Sequence, residues 1–357
     1  MRRALSPTSE LAAGYRRLTV RRLLVIGALL ALVLLLALVS LCVGSSGLSP
    51  VDALLALCGG GDPQTRIIVL SLRLPRVLAA VVCGGGLAAV GCAMQAVLRN
   101  PLADATTLGV SQGAAFGAAF AIIVCGSGSA AGALQALSPY LTTACAFFCA
   151  LGATLCILLL SRFRRMGPTV MVLAGVAISA MFSGGSALLQ YFGDDTEVAS
   201  VVFWTFGDLG RVSYRELGLI AGVVLLSLLY FGANRWNFNA LQSGGATARG
   251  LGVETGRVRL LSMAVCALCA ATVVSFVGII NFVGLIAPHM VRRFTGGDYR
   301  YLLPASVLGG SLLLLLSDIA ARLAVAPIVL PIGAITSLVG APVFLFLICK
   351  GGDSRAL

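Results

Sequence analysis

Charged side chains are scarce in this sequence: aspartate, glutamate, lysine and arginine together make up 11% of its 357 residues. Soluble globular proteins carry about 25% charged residues, so this scarcity excludes an ordinary soluble domain. The chain is instead 59% hydrophobic, and its apolar residues form runs of about 20, each long enough for a helix that crosses a bilayer. The sequence therefore predicts an all-α integral membrane protein.

Lysine is almost absent. Lys350 is the single lysine in the chain, and Gly351 and Gly352 follow it. A phosphate-binding loop of the G-x-x-x-x-G-K-[ST] type needs a lysine followed by serine or threonine. We therefore expect no ATPase of this kind in the chain, so a transporter built from it either borrows ATP hydrolysis from another subunit or uses an ion gradient.

Metal-binding side chains are also few. His289 is the only histidine, and most of the 11 cysteines lie inside apolar runs, where cysteine behaves as a small hydrophobic residue. Cys266 and Cys269 form a C-x-x-C pair without a second ligand pair nearby. We expect no metal site and no cofactor bound by this chain. His289 also has no partner aspartate or serine at a defined spacing, which argues against an intramembrane enzyme.

The apolar runs and the arginines between them predict the topology. The run 260–291 is too long for one crossing and too short for two full ones, and arginines flank both of its ends. Because arginine and lysine concentrate on the cytoplasmic side, both ends should be cytoplasmic. We therefore expect a turn near 278–281 and a return through a short half-helix over 282–291. The other runs are 23–43, 77–98, 105–125, 141–161, 169–191, 216–233, 303–321 and 332–349.

This interpretation gives about ten transmembrane helices, including the half-helix, with both termini in the cytoplasm. The chain then divides into a basic cytoplasmic tail (1–22), one transmembrane domain (23–349) and a short cytoplasmic tail (350–357). The polar segment 234–259 is a cytoplasmic loop with two helix-forming patches, and a loop of this length is usually functional. Since the net charge of +12 is mostly an orientation signal, binding to nucleic acid is not needed to explain it.

Three local patterns add detail. Asp318 and Arg322 lie four residues apart on one predicted helix, a spacing that favours a structural ion pair over a proton relay. Small residues recur at every fourth position of the second run, which predicts close helix packing: Gly84, Ala88, Cys92 and Ala96. The outer segment 192–215 contains the amphipathic stretch "VASVVFWTFGDLG", for which we predict an interfacial helix anchored by Trp204.

Several motifs, in order and at matching spacing, resemble the FecCD-type permeases, the membrane subunits of ABC importers for iron–siderophore complexes, haem and cobalamin. These motifs are "LRLPR" (72–76), "RNPLADATTLGVSQGA" (99–114), "LAGVAIS" (173–179), "FVGLIAPHMVRR" (282–293), "LLPASVLGG" (302–310) and "LPIGAITSLVGAPVFLFL" (330–347). The resemblance implies a second permease copy, two separate nucleotide-binding subunits that use ATP and Mg, and an extracytoplasmic substrate-binding protein. It also implies the plasma membrane of a bacterium or archaeon.

The resemblance also implies roles for individual residues. The cytoplasmic gate of the pathway is expected at Asn100 and Leu102, faced by Pro168 and Thr169. Coupling helices that contact the ATPase are expected at Gly244, Arg249, Leu251 and Gly252. Docking of the binding protein is expected at Arg73, Arg76 and Arg322, three of the six basic residues that face outward. The sequence departs from the family pattern at Ala105, Gly245 and Val329, where the family has proline, glutamate and glutamate.

Two other functional classes are alternatives to an importer permease. A gradient-driven secondary transporter would transport without any ATPase subunit, and two inverted halves of similar hydropathy would favour it. An intramembrane enzyme would hydrolyse a peptide or a lipid. Within the importer interpretation, the family frequencies place iron–siderophore first as cargo, haem second and cobalamin third.

Overall fold

The computed structural model describes residues 7–44, 49–126, 138–164 and 167–351. The ends of the two predicted tails, 1–6 and 352–357, lie outside the described residues, as does Arg165 of the basic segment after the fourth apolar run. Helices joined by turns dominate the described ranges.

The helices are α1 (Pro7–Cys42), α2 (Pro50–Leu57), α3 (Pro63–Ile67), α4 (Leu74–Leu98), α5 (Val110–Ala119), α6 (Ser138–Arg164), α7 (Pro168–Phe192), α8 (Asp195–Thr205), α9 (Tyr214–Ala233), α10 (Arg235–Gln242), α11 (Gly245–Gly250), α12 (Thr255–Val277), α13 (Val283–Thr295), α14 (Tyr299–Leu323) and α15 (Ile332–Gly351). Two π-helical segments, Ile68–Arg73 and Phe120–Val124, lead into α4 and extend α5, and two 3-10 turns are Thr106–Leu108 and Leu209–Arg211.

The described ranges contain seven helices that are long and apolar enough to cross a membrane: Gly14–Cys42, Pro63–Leu98, Tyr140–Arg162, Pro168–Phe192, Tyr214–Ala233, Thr255–Val277 and Tyr299–Leu323. Two shorter apolar helices, Val110–Val124 and Ile332–Leu347, lie on two further predicted crossings, and α13 lies on the predicted half-helix. The chain is a multi-pass, all-helical membrane protein. The count of ten crossings and the cytoplasmic position of the termini stay predictions.

The long apolar run breaks where the charge pattern predicted. Helix α12 ends at Val277, and the backbone turns through Gly278, which has a φ of +86°, before α13 begins at Val283. Glycine is required at this turn because a Cβ on Gly278 would lie 2.6 Å from the carbonyl oxygen of Trp204. The half-helix extends to Thr295, a full turn beyond the predicted end.

The centre of the molecule is the packing of α4 against α14 and α13. A Cβ on Gly84 would lie 2.5 Å from the carbonyl oxygen of Gly310, and a Cβ on Gly91 would lie 1.9 Å from that of Gly284. The backbones therefore touch directly, and the predicted stripe of small residues on α4 is completely buried. The prediction of close packing is confirmed.

Two details differ from the sequence-based expectation. Helix α1 already begins at Pro7, so the described part of the predicted tail is helical. Its 36 residues make a helix of about 54 Å, well beyond a hydrocarbon core of about 30 Å. Trp204 is buried rather than interfacial, because α8 packs its last turn over the bend between α12 and α13 at Gly278. The role of Trp204 as a lipid anchor was therefore wrong.

Candidate functional site

The polar segment 99–109 between α4 and α5, here called the elbow, is a series of side-chain-stabilised turns. The Asn100 Oδ1 accepts a hydrogen bond from the Leu102 amide at 2.9 Å. The buried Asp104 carboxylate accepts hydrogen bonds from the amides of Thr106 and Thr107 at 3.0 and 3.2 Å. These bonds satisfy backbone donors that a membrane interior would leave unpaired. Asp104 thus caps the 3-10 turn, whereas α5 itself begins later, after Gly109, which has a φ of +74°.

The elbow packs against α7. A Cβ on Gly175 would lie 1.9 Å from the carbonyl oxygen of Thr107, and one on Gly109 would lie 3.3 Å from the Ser179 Oγ. These contacts lie about two and three turns beyond Pro168 and Thr169, the residues expected to face the elbow. Pro168 forms the first turn of α7, and Thr169 is exposed there. Leu102 is also exposed, so an apolar side chain protrudes from the elbow.

The predicted cytoplasmic loop, 234–259, contains two short helices, α10 and α11, as the two predicted patches indicated. Gly244 and Gly252, with φ values of +116° and +82°, separate α11 from its neighbours. The Arg249 Nε donates to the carbonyl oxygen of Gly245 at 3.2 Å. Leu251 follows α11 directly and is 68% exposed. Its side chain is therefore accessible to another protein chain.

Helix α10 is fixed to the start of α14 by a polar network that the sequence did not reveal. The Asn239 side chain donates to Asp298 at 3.0 Å and accepts from the Tyr299 amide at 2.9 Å. The Tyr299 hydroxyl donates to the carbonyl oxygen of Cys92 in α4 at 3.1 Å, and the Phe238 ring lies 5.6 Å from the Tyr299 ring. These contacts would therefore transmit a displacement of α10 to α14 and α4.

Asp298 is the charged member of this network. Partial burial opposes its ionisation, but hydrogen bonds from the Arg300 guanidinium and from Asn239 outweigh burial and lower the pKa of Asp298 to about 2. The Arg300 guanidinium donates to Asp298 at 2.6 Å and lies 4.8 Å from the centre of the Trp236 ring. The junction between α10 and α14 thus keeps its ion pair at every physiological pH.

At the opposite end of α14 lies a buried ion-pair cluster, here called the outer cluster: Arg76, Asp318 and Arg322. The Asp318 side chain is fully buried. The Arg76 Nε donates to its Oδ1 at 2.7 Å, and an Arg322 nitrogen lies 2.9 Å from its Oδ2 in a close ionic contact. Arg76 also lies 3.6 Å from the Asp208 carboxylate. The structural ion pair predicted for Asp318 and Arg322 is confirmed, and Arg76 is an additional partner.

Arg73 and Arg322 cap the end of α1. The Arg73 guanidinium donates to the carbonyl oxygens of Leu41 and Cys42 at 2.7 and 2.9 Å. Arg322 donates to those of Ser40 and Val43 at 3.0 and 2.8 Å. The last carbonyl groups of a helix lack intrahelical partners and carry partial negative charge, which explains the attraction.

This geometry bears on the expected docking role of three arginines, which stays a prediction. Docking through Arg73, Arg76 and Arg322 requires accessible guanidinium groups, but the Arg73 residue is only 7% exposed and the Arg322 side chain 8%. Both groups already bind carbonyl oxygens inside the protein. Of the six arginines predicted to face outward, Arg66, Arg211 and Arg215 are exposed. The Arg211 guanidinium also donates to the carbonyl oxygen of Phe203 at 3.0 Å.

The remaining candidate groups have packing roles. All 11 cysteines are free, and the buried ones, such as Cys83 and Cys269, lie in the core. The His289 ring packs edge-on against Phe344 at 6.5 Å. Over the described ranges, no three His, Cys, Asp or Glu side chains come together as a metal site would require.

The chain is similar to known proteins both in sequence and in structure. A family model described as the FecCD transport family matches residues 31–350. A protein of Methanocaldococcus jannaschii assigned as an ABC transporter permease is 47% identical over 337 residues, which are 94% of this chain and 97% of that protein. The hemin transport system permease HmuU of Yersinia pestis is 36% identical, over 93% of this chain and 97% of its own length.

Two further similarities concern other cargoes. The vitamin B12 import permease BtuC of Escherichia coli is 35% identical, over 96% of this chain and 99% of its own length. An inward-facing structure of an ABC transporter assigned to the metal-chelate type superposes with a TM-score of 0.79 at 31% identity, and it covers 91% of this chain and 98% of that one.

Proposed function

Because the chain belongs to the FecCD transport family, we propose that it forms the translocation pathway for an iron chelate in an ATP-driven importer. The family assignment makes the chain a membrane-spanning transport subunit without its own ATPase, in agreement with its missing phosphate-binding loop. The observation that carries the proposal for the pathway is the elbow, a satisfied polar turn at the end of a buried helix. Irregular backbone in a membrane protein is tolerated where it lines a cavity or is buried.

The pathway wall is proposed to be α7 with the elbow beside it. Most of the α7 surface is exposed, including Leu173, Val176 and Met181. The elbow contacts the same helix at Gly175. A second copy of this chain or of a close homologue, packed on α7, would cover this apolar surface and close a pathway between the two subunits. Asn100, Leu102, Pro168 and Thr169 would then lie at its cytoplasmic end as the gate.

The nucleotide-binding subunits are proposed to dock on α11 and Leu251, with Gly244 and Gly252 shaping the turn. The network from Asn239 through Asp298 and Tyr299 would pass their motion to α14. These partner subunits would bind ATP and Mg, and this chain itself would bind no cofactor.

The coupling role predicts the effect of a Leu251→Asp substitution. A carboxylate placed in the subunit contact would be buried without a partner, which costs several kcal/mol. We expect the ATPase subunits to dissociate or lose stimulation by the loaded binding protein, while the membrane domain still folds because Leu251 is exposed. The measurement is ATPase activity and subunit co-purification.

The matched control is Gly256→Asp, which adds the same charge nearby, in the first turn of α12, where nothing lies within 4 Å of a new Cβ. It should leave coupling intact. Normal stimulation of ATP hydrolysis in the Leu251→Asp variant would contradict the assignment.

Docking of the binding protein is proposed to involve the exposed arginines Arg66, Arg211 and Arg215. The buried outer cluster would stabilise the helix ends at this surface. Arginine suits bidentate pairing with carboxylates of a partner. The double variant Arg211→Glu and Arg215→Glu should weaken binding-protein association at low salt, where such pairs are least screened, and leave basal ATP hydrolysis intact. Unchanged association at low salt would contradict the assignment of docking to these arginines. Arg257→Glu, on the predicted cytoplasmic loop, is the control for charge reversal.

The cargo proposal follows from the relatives, which carry hemin and vitamin B12, and from the metal-chelate transporter of similar structure. An iron–siderophore is our first choice, then haem, then cobalamin. The test is uptake of each cargo into proteoliposomes that contain the permease, its ATPase subunits and its binding protein. We expect uptake of one chelate that requires ATP hydrolysis. Uptake without ATPase subunits would instead identify a gradient-driven transporter.

A further inference from the structure

An apolar groove runs along the outside of the helix bundle where α1 passes α13 and α14. It has a volume of about 320 Å³, and its walls include Val25 and Leu32 of α1, Met290 and Phe294 of α13, and Leu313 of α14. A buried cavity of about 150 Å³ is large enough to hold benzene, so this groove has room for a substantial length of hydrocarbon chain. Its walls belong to two helices long enough to span a membrane, α1 and α14, and to the predicted half-helix α13.

Small side chains make the groove. Ala28, Ala287 and Gly309 line its floor and leave room above it. A Cβ on Gly309 would lie 3.1 Å from the Val291 Cγ1, so α13 and α14 are already in contact below the groove. The floor is therefore closed, and the opening faces away from the protein.

The cytoplasmic mouth of the groove is basic. Toward its N-terminus, α1 carries four arginines beyond Val25: Arg16, Arg17, Arg21 and Arg22. Arg293, in the last turn of α13, is exposed. The Arg22 guanidinium lies 5.2 Å from the centre of the Tyr301 ring. A Cβ on Gly296, just after α13, would lie 3.1 Å from the Arg22 Nη2. Arg22 therefore spans the mouth from α1 to the turn between α13 and α14.

These arginines are not neutralised locally. Arg16, Arg17, Arg21, Arg22 and Arg293 form no salt bridge with a carboxylate among the side chains that the structure describes. The nearest acidic group of the turn, Asp298, is paired with Arg300. The positive charge at the mouth is thus available to an anion.

The position of the groove decides which molecule reaches it. Helix α1 packs on α14, α13 and α2, whereas α7 and the elbow pack with α5 and α6 on another part of the bundle. The groove therefore opens toward the bilayer and not toward the proposed pathway. A cytoplasmic-leaflet lipid has a hydrocarbon chain at the depth of the groove and its headgroup at the depth of the arginines.

We propose that this groove binds an anionic phospholipid of the cytoplasmic leaflet. One acyl chain lies in the groove between α1, α13 and α14, and the phosphate is held by Arg22 and Arg293. Basic residues at the cytoplasmic ends of adjacent transmembrane helices attract anionic headgroups in this way. Such a lipid joins α1 to the half-helix α13.

The test uses the complete importer in nanodiscs made from an equal mixture of phosphatidylglycerol and phosphatidylcholine, extracted into mild detergent and analysed by native mass spectrometry. We expect the wild-type protein to retain phosphatidylglycerol preferentially. Arg22→Gln and Arg293→Gln should each reduce this preference by about fivefold, since one arginine near an anionic surface contributes roughly 1 kcal/mol. Ala28→Phe, which fills the groove, should displace the lipid whatever its headgroup.

The controls are Arg215→Gln at the exposed outer surface and Leu226→Phe at an exposed position of α9, neither of which should change retention. Equal retention of the two lipids by the wild-type protein would overturn the proposal. So would loss of bound phosphatidylglycerol on addition of inorganic phosphate, because that result would identify a simple anion site without a role for the acyl chain.

Discussion

An Asp318→Ala variant is expected to lose about 3–5 kcal/mol of stability, the typical cost of removing one partner from a buried ion pair. The substitution leaves the Arg76 and Arg322 guanidinium groups facing each other with side chains only 14% and 8% exposed. It also loosens the end of α1, because Arg322 binds the carbonyl oxygens of Ser40 and Val43. Thermal or denaturant unfolding in detergent measures the loss.

The protein contains a matched control for this experiment. The Glu254–Arg257 pair has a separation of 3.9 Å and side chains that are 74% exposed. Such exposed pairs contribute at most about 1 kcal/mol, so Glu254→Ala should change stability little. If Asp318→Ala proves as mild as Glu254→Ala, the outer cluster does not stabilise the fold.

A Gly91→Ala variant is expected to disrupt the junction between α4 and α13. The added methyl carbon would lie 1.9 Å from the carbonyl oxygen of Gly284, and backbone atoms cannot yield as a flexible side chain does. Overpacking of a core usually costs about 1–3 kcal/mol, and a backbone clash lies at or above the upper end of that range. The half-helix, the turn at Gly278 and the elbow all depend on this junction, so transport should fall together with stability.

Gly222→Ala in α9 is the corresponding control. Nothing lies within 4 Å of a Cβ at this position, and alanine is favoured over glycine in a helix by about 1 kcal/mol. The control should therefore be neutral or slightly stabilising when the two variants are unfolded under the same conditions. Equal stability of the Gly91→Ala and Gly222→Ala proteins would contradict direct backbone contact between α4 and α13 at Gly91 and Gly284.

The elbow and the outer cluster show how far sequence reasoning reached. The polar turn after α4 and the Asp318–Arg322 pair were both predicted, because the first is a local break in an apolar pattern and the second is a spacing of four on one helix. The Arg76 contact with Asp318 joins residues 242 positions apart, and no local pattern encodes it. The contacts of Arg73 with the carbonyl oxygens of Leu41 and Cys42 span 32 and 31 positions of the chain, so the inward direction of its side chain was not predictable either.

The segment 234–259 shows the same difference between features that local patterns predict and features that depend on packing. Two short helices over 234–259 were predicted from glycine positions and polar composition. Their attachment through Asn239 and Asp298 to the start of α14 was not, since it depends on where two separate helices end in space. The sequence by itself determined the membrane-spanning class, the break at Gly278 and the lack of a phosphate-binding loop. Each of these can be read from hydropathy, charge bias or residue types over a short stretch of the chain. Only the tertiary structure decided which buried charges meet and which arginines stay exposed, because partner choice depends on the faces that packed helices present to each other.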